Sequence, residues 1–219
     1  YSVYTPALIR KNKAFLDSER APQTILFALK EIDGRLPALM EGALWLDLMR
    51  WYQGVDIKGE FLVLKRSARP LACPLLPIEK KICAFNESVR VPPGHKVFAE
   101  ITINKSFAGK IANILFKMPH VYIELFFADQ PPVKYRLIPG ISSSGFILSP
   151  ALLNIHDFLD FSVGKDVARP VTAFRISTSR DWLYHDPIAV VFKQIDTQEF
   201  PDGLADRKSN PQLGSQVRE

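Results

Sequence analysis

Apolar and polar residues alternate most regularly in the second half of the chain. Five stretches carry the pattern: VFAEITIN from Val97, VYIELFF from Val121, VKYRLI from Val133, VTAFRIS from Val171 and IAVVFK from Ile188. Large apolar side chains recur at every second position, which is how a strand buries one face and leaves the other in water. Asp129-Gln130-Pro131-Pro132 reads as a hairpin turn and Gly140 to Gly145 as a loop. Leu152, Leu153, Ile155, Phe158 and Leu159 have helical spacing and predict a turn or two of helix between strands. Short turns and clean alternation favour antiparallel pairing and a two-layered, jelly-roll-like β-sandwich.

The first seventy residues have a different rhythm and predict a small α/β unit. Ala7 to Leu16 reads as a short helix, and Thr24 to Leu29 as a buried strand after Pro22. Leu36 to Gly42 reads as irregular. Leu44, Trp45, Leu48, Met49 and Tyr52 recur at helical spacing, with Gly54 as a stop signal. Phe61-Leu62-Val63-Leu64 is a second strand. Two strands joined through a helix predict a β-α-β crossover and a parallel pair.

Residues 70 to 94 form a proline-rich connector, with Pro70, Pro74, Pro77, Pro92 and Pro93. Proline has no ladder donor, so a strand here, centred on Lys81 to Phe85, belongs at a sheet edge. Residues 198–219 are polar and predict a mobile or docked tail. The expected architecture is α+β, with a small α/β unit over 1–70, an antiparallel sandwich over 71–197 and the tail beyond.

Composition narrows the picture only slightly. The 219 residues are 47% hydrophobic and 23% charged, enough apolar content for a real core without a metal or disulfide staple. The net charge is +5, but the lysines and arginines are scattered, with small runs at Arg10 to Lys13 and Lys80-Lys81. No basic stripe interleaves with aromatics, which argues against nucleic acid as a partner. These charges read as solvated surface, with weak attraction to anionic lipid headgroups as the alternative. Cys73 and Cys83 are too few for a disulfide framework; a short bridge and two free thiols both fit. No apolar run reaches the ~18 residues of a membrane span, and no signal peptide is visible. A chain that starts at Tyr1 reads as a piece of a longer protein.

Motifs with chemistry are sparse. Gly140-Ile141-Ser142-Ser143-Ser144-Gly145 superficially resembles a nucleophile elbow. However, Ser144 stands where the second glycine belongs, and extended Phe146-Ile147-Leu148 follows instead of a helix. His95, His120, His156 and His185 form no zinc-binding spacing, and no cofactor motif or metal set emerges. Asn154, Asp157 and Asp160 would share one helix side but offer too few oxygens for calcium, so helix capping by Asp157 is the simpler expectation. Asp33 and Arg35 read as a turn-level ion pair. Aromatic residues are the better recognition signal: Tyr135, Arg136, Arg180, Trp182 and Tyr184 are candidates for a sugar-binding platform, a flat ring with polar neighbours. The segment Phe107 to Pro119 is rich in large apolar residues. It predicts either core folded over the sandwich or, if it protrudes, a contact with membrane or with helices of a parent protein.

Three phrases together carry a family resemblance. They are Leu16 to Asp33 with its AP-x-x-ILF…EID-x-R-x-P pattern, the Leu44 to Tyr52 helix, and KYRLIPG…GFILSP from Lys134 to Pro150. Over residues 1 to about 196 the chain resembles the C-terminal soluble region of uncharacterised bacterial polytopic inner-membrane proteins with a glycosyltransferase-like layout. That resemblance implies a position on the periplasmic, extracytoplasmic face, after the last membrane span. It implies no reaction and no catalytic residue. The resulting expectation is a non-catalytic domain that binds a glycan or lipid-linked sugar, or docks on the membrane portion of its parent. The alternatives are a structural or protein-interaction module without ligand, and a hydrolase whose site is not recognisable.

Overall fold

A computed structural model describes residues 6–94, 96–116, 118–185 and 187–197. The fold is α+β, with three antiparallel sheets and a set of short helices among the described residues. The predicted tail lies outside them, as does His95.

The chain opens with helix α1 (Pro6–Leu16) and strand β1 (Thr24–Phe27), followed by two helices, α2 (Pro37–Met40) and α3 (Gly42–Trp51). Strands β2 (Tyr52–Lys58) and β3 (Phe61–Arg66) then form a hairpin. The sheet order is β1-β3-β2, and β1 pairs with β3 antiparallel, Thr24 opposite Lys65 and Phe27 opposite Leu62. The predicted parallel crossover is therefore wrong. The reason is β2, a strand that starts at Tyr52 directly from the helix and continues through the expected stop at Gly54. The extra strand reverses the chain once more before β3. Nor is β1 a buried strand: it lies at the sheet edge, only Phe27 is buried, and Leu26 is exposed. Leu36 to Gly42, expected to be irregular, holds the single turn α2 with Pro37 at its start, where a missing N–H costs nothing.

The second half builds two four-stranded sheets from β4 (Leu75–Cys83), β5 (Ser88–Arg90), β6 (Val97–Thr102), β7 (Val121–Phe127), β8 (Val133–Leu137), β9 (Phe146–Ser149), β10 (Val171–Thr178) and β11 (Ile188–Ile195). All five strands expected from alternation are present. One sheet has the order β4-β11-β6-β9 and the other β5-β10-β7-β8, every pair antiparallel. The pairing is nested: β4 with β11, β5 with β10, β6 with β9, β7 with β8. A long hairpin has in effect been rolled up and split into two layers. The layers meet through Phe174 and Phe192, both fully buried, with ring centroids 6.3 Å apart.

Four further helical pieces link these strands: α4 (Phe107–Leu115), α5 (Pro139–Ser142), α6 (Ile155–Ser162) and a 3-10 turn at Asp181–Leu183. The expected loop at Gly140 to Gly145 is thus partly helical, closed by Gly145 at φ +86.

The edges of the two four-stranded sheets are short, irregular or covered, and the sequence explains how. Strand β4 is the proline-bearing strand and does lie at an edge. A bulge falls beside Pro77, and Lys80 is exposed on this strand. Strand β5 is only three residues long. On the other side the first unit provides the cover. Strand β9 is buried along its whole length because α2 and α3 pack on it. Gly42 marks that contact: a Cβ there would lie 2.8 Å from the Gly145 carbonyl oxygen. Beside β8, the Arg136 amide donates to the Gly34 carbonyl at 2.6 Å. An aromatic cluster joins the two halves, with Phe158 of α6 at 4.5 Å from Phe27 and 5.3 Å from Trp45. The apolar core is continuous through it.

Candidate functional site

The most distinctive surface lies at the end of the two sheets where β6 leads into α4 and β10 leads into the 3-10 turn. Ser106 starts α4 for a local reason: its Oγ accepts from the Gly109 amide at 3.0 Å, a standard N-cap bond. The same residue ties the helix to the turn. Its amide donates to the Leu183 carbonyl at 3.0 Å, and its hydroxyl donates to the Trp182 carbonyl at 3.0 Å. Nearby, the His185 amide donates to the Asn104 carbonyl at 2.8 Å, and Lys105 forms a bridge with Tyr184.

Helix α4 faces the protein with its smallest residue. Gly109 is its buried position, and a Cβ there would overlap the Leu183 carbonyl oxygen and lie 2.9 Å from the carbonyl carbon. Phe107, Ile111, Ile114 and Leu115 follow the i, i+4, i+7, i+8 rule and share the opposite face. These four and Phe116 keep 46 to 82% of their surface in water. An amphipathic helix ordinarily turns its apolar stripe inward; this one turns it outward. Helix α4 and Phe116 therefore expose the apolar face, the second of the two sequence expectations, while Met118 packs against the core. Trp182, in the turn that holds α4, is 61% exposed.

The five residues proposed for a sugar platform separate into two groups. Arg180, Trp182 and Tyr184 sit in or beside the 3-10 turn. Tyr135 and Arg136 lie on β8, opposite Ile123 and Tyr122. Of the three aromatic rings, only that of Trp182 is open. Tyr135 is buried in the core, where loss of water raises its pKa. Tyr184 is buried against Phe85 at 5.6 Å and donates its hydroxyl to the Pro119 carbonyl at 3.2 Å, and burial raises its pKa too. Arg136 is held by its backbone to the 34–35 turn, where the expected Asp33–Arg35 ion pair forms at 3.1 Å.

Two concave regions lie elsewhere on the described surface, lined by other residues than α4 and the 3-10 turn. A cleft of about 1050 Å³ runs between the open edges of the sheets, past Lys81, Arg90, Pro92, Lys96 and Asp166. Some of its charge is already committed: Lys81 pairs with Glu79 at 2.8 Å and donates to the Arg90 carbonyl at 3.0 Å. Lys96 lies 4.9 Å over the Phe161 ring, and burial lowers its pKa while Asp166 partly opposes that shift. A second groove of about 620 Å³ runs between α1, β1 and α3, past Phe15, Leu26, Ile32 and Trp45.

The other motifs resolve into structure. Ser142 is fully buried and donates to the Ile101 carbonyl at 2.8 Å, so its hydroxyl is committed to a turn. Asn154 caps α6, accepting from the amides of His156 and Asp157 at 2.9 Å each. Asp157 accepts from the Leu153 amide at 2.9 Å, Asn154 Nδ2 at 3.0 Å and Arg169 Nη1 at 2.6 Å. That carboxylate has little coordination left for a cation. Among the described residues no group of three or more His, Cys, Asp or Glu is placed to hold a metal. No disulfide joins Cys73 and Cys83, and burial raises the pKa of Cys73. No described helix is long and apolar enough to cross a membrane.

Sequence reasoning found the apolar content of Phe107 to Pro119 but could not orient it. The usable signal was Gly109, a small residue opposite the stripe with Ala112 one turn on, and it goes unrecognised without knowing what it touches. No family model matches the chain, and no curated protein or solved structure does either.

Proposed function

We propose that this chain is a non-catalytic docking domain of a membrane protein, acting on the extracytoplasmic, periplasmic side, with the α4 end as its docking surface. One observation carries the reading: a nine-residue helix whose apolar face is turned away from its own protein. Those exposures amount to roughly four large side chains in water, counting Trp182. At about 2 kcal/mol each, on the order of 8 kcal/mol of gross hydrophobic free energy goes unused in the free chain. A fold does not hold such a face rigidly in place by default, and here two Ser106 hydrogen bonds and a glycine contact do so.

The sheets suit this role as a stiff platform. We read them as a jelly roll, which the nested pairing of eight strands supports. Glycan or lipid-linked sugar binding is a weaker reading on this geometry, because Trp182 alone of the three aromatics offers an open ring.

The test is membrane association. The chain should cosediment with membranes of its native host, and Ile114→Glu with Leu115→Glu should release it. Protease accessibility in spheroplasts should place it outside the cytoplasm. A chain that stays in the soluble fraction with α4 intact would overturn the proposal.

A further inference from the structure

We infer that the α4 face inserts into the interface of an anionic lipid bilayer, a step that rests on reading this end as the docking surface. Three observations separate lipid from a protein partner. The first is size. A nine-residue helix is about 13 Å long and about 10 Å across. Its footprint is a few hundred Å², well short of the roughly 800 Å² per partner of a standard protein interface. A bilayer has no such requirement, since it takes up whatever apolar surface reaches it.

The second observation is charge. From Ile101 to Ile123 the sequence contains no aspartate or glutamate, and it contains Lys105, Lys110 and Lys117. Lys110 is exposed on α4, and Lys105 is held at its base by Asn113 Oδ1 at 2.8 Å. The acid on the neighbouring turn, Asp181, is directed at the backbone, accepting from the Trp182 amide at 2.8 Å, and Arg180 precedes it. Lys105, Lys110 and Arg180 outnumber Asp181 around the apolar face among the described residues, a positive balance that complements acidic headgroups.

The third is the kind of side chain at the rim. Trp182 stands where an indole can lie among headgroups while Phe107, Ile111, Ile114 and Leu115 go deeper. The inference is thus an interfacial anchor one helix wide, shallow and reversible.

Binding should be measured with the whole chain by flotation on phosphatidylcholine vesicles and on vesicles in which phosphatidylglycerol replaces part of it. Trp182 emission gives a second readout, with Trp182→Phe to separate it from Trp45 and Trp51. The two described lysines together predict about thirtyfold tighter binding to the anionic vesicles at moderate salt, falling as salt rises. Lys110→Glu should remove most of that preference. Ile114→Glu with Leu115→Glu should abolish binding to both vesicles while the thermal transition stays within a few degrees of the parent. Equal affinity for both vesicles overturns the anionic preference. Failure to bind any vesicle overturns the lipid inference. If the chain then still associates with native membranes, or with itself, through an α4-dependent contact, the docking reading stands with a protein occupant. If α4 variants change no association at all, both readings fall.

Discussion

Replacing Gly109 by alanine sets local propensity against tertiary contact. In an exposed helix the change favours stability by about 0.8 to 1 kcal/mol, because glycine is the poorer helix former. Gly109 is instead the buried residue of α4, and an alanine Cβ would overlap the Leu183 carbonyl oxygen, 2.9 Å from its carbon. To restore an ordinary separation of about 3.5 Å, the helix must move back by more than an ångström. Neither Ser106 hydrogen bond, to Leu183 or to Trp182, tolerates that retreat from 3.0 Å. Each contributes about 1 kcal/mol, and the steric contact adds a comparable amount. After subtracting the propensity gain, about 2 kcal/mol of net destabilisation remains, confined to α4 and the turn. Native-state hydrogen exchange is the direct assay. Amides of Phe107–Leu115 should exchange roughly ten times faster in the variant, with strands β6, β7, β10 and β11 unchanged. Slower exchange in α4, together with a gain of about 1 kcal/mol in urea unfolding, would show that the helix is not seated on Leu183, and the argument for a rigidly presented face would fail.

Two further outcomes follow from the core. Phe158→Ala should cost about 3 to 5 kcal/mol, because the ring is fully buried between Phe27 and Trp45; tryptophan fluorescence and far-UV circular dichroism should still unfold together, and two separated transitions would refute a continuous core. Burial raises the pKa of Glu41, and it raises that of Asp47 against the opposing pull of Lys13, 3.2 Å away. A raised folded-state pKa means that the native chain holds the proton more tightly. This contribution is therefore fully present below the unfolded carboxyl value of about 4 and is lost as pH rises through the raised value. Glu41→Gln should flatten the decline in melting temperature over that window, and parallel curves for parent and variant would contradict it.

Much of the second half was legible in the amino-acid order alone. Val97, Val121, Val133, Val171 and Ile188 all begin strands, because a half-buried sheet imposes a period of two that side-chain chemistry records directly. Edge placement of the Pro77 strand could also be read, since a residue without an N–H cannot serve a ladder on both sides. The Asp33–Arg35 pair is equally local, and so was equally visible, whereas the cap expected from Asp157 is made by Asn154. Tertiary structure decided the rest. The pairing of β1 with β3 depended on whether the chain reversed at Tyr52, and the helical pattern before Tyr52 carries no record of the strand after it. Tyr135 and Tyr184 looked like recognition residues because aromatic rings serve cores and surfaces alike, and only their neighbours distinguish the two uses. The same holds most sharply for α4. Periodicity states that Phe107, Ile111, Ile114 and Leu115 share a face, but which face meets the protein is set by Leu183, some seventy residues away. A stripe is a property of the chain, whereas its direction is a property of what the chain packs against.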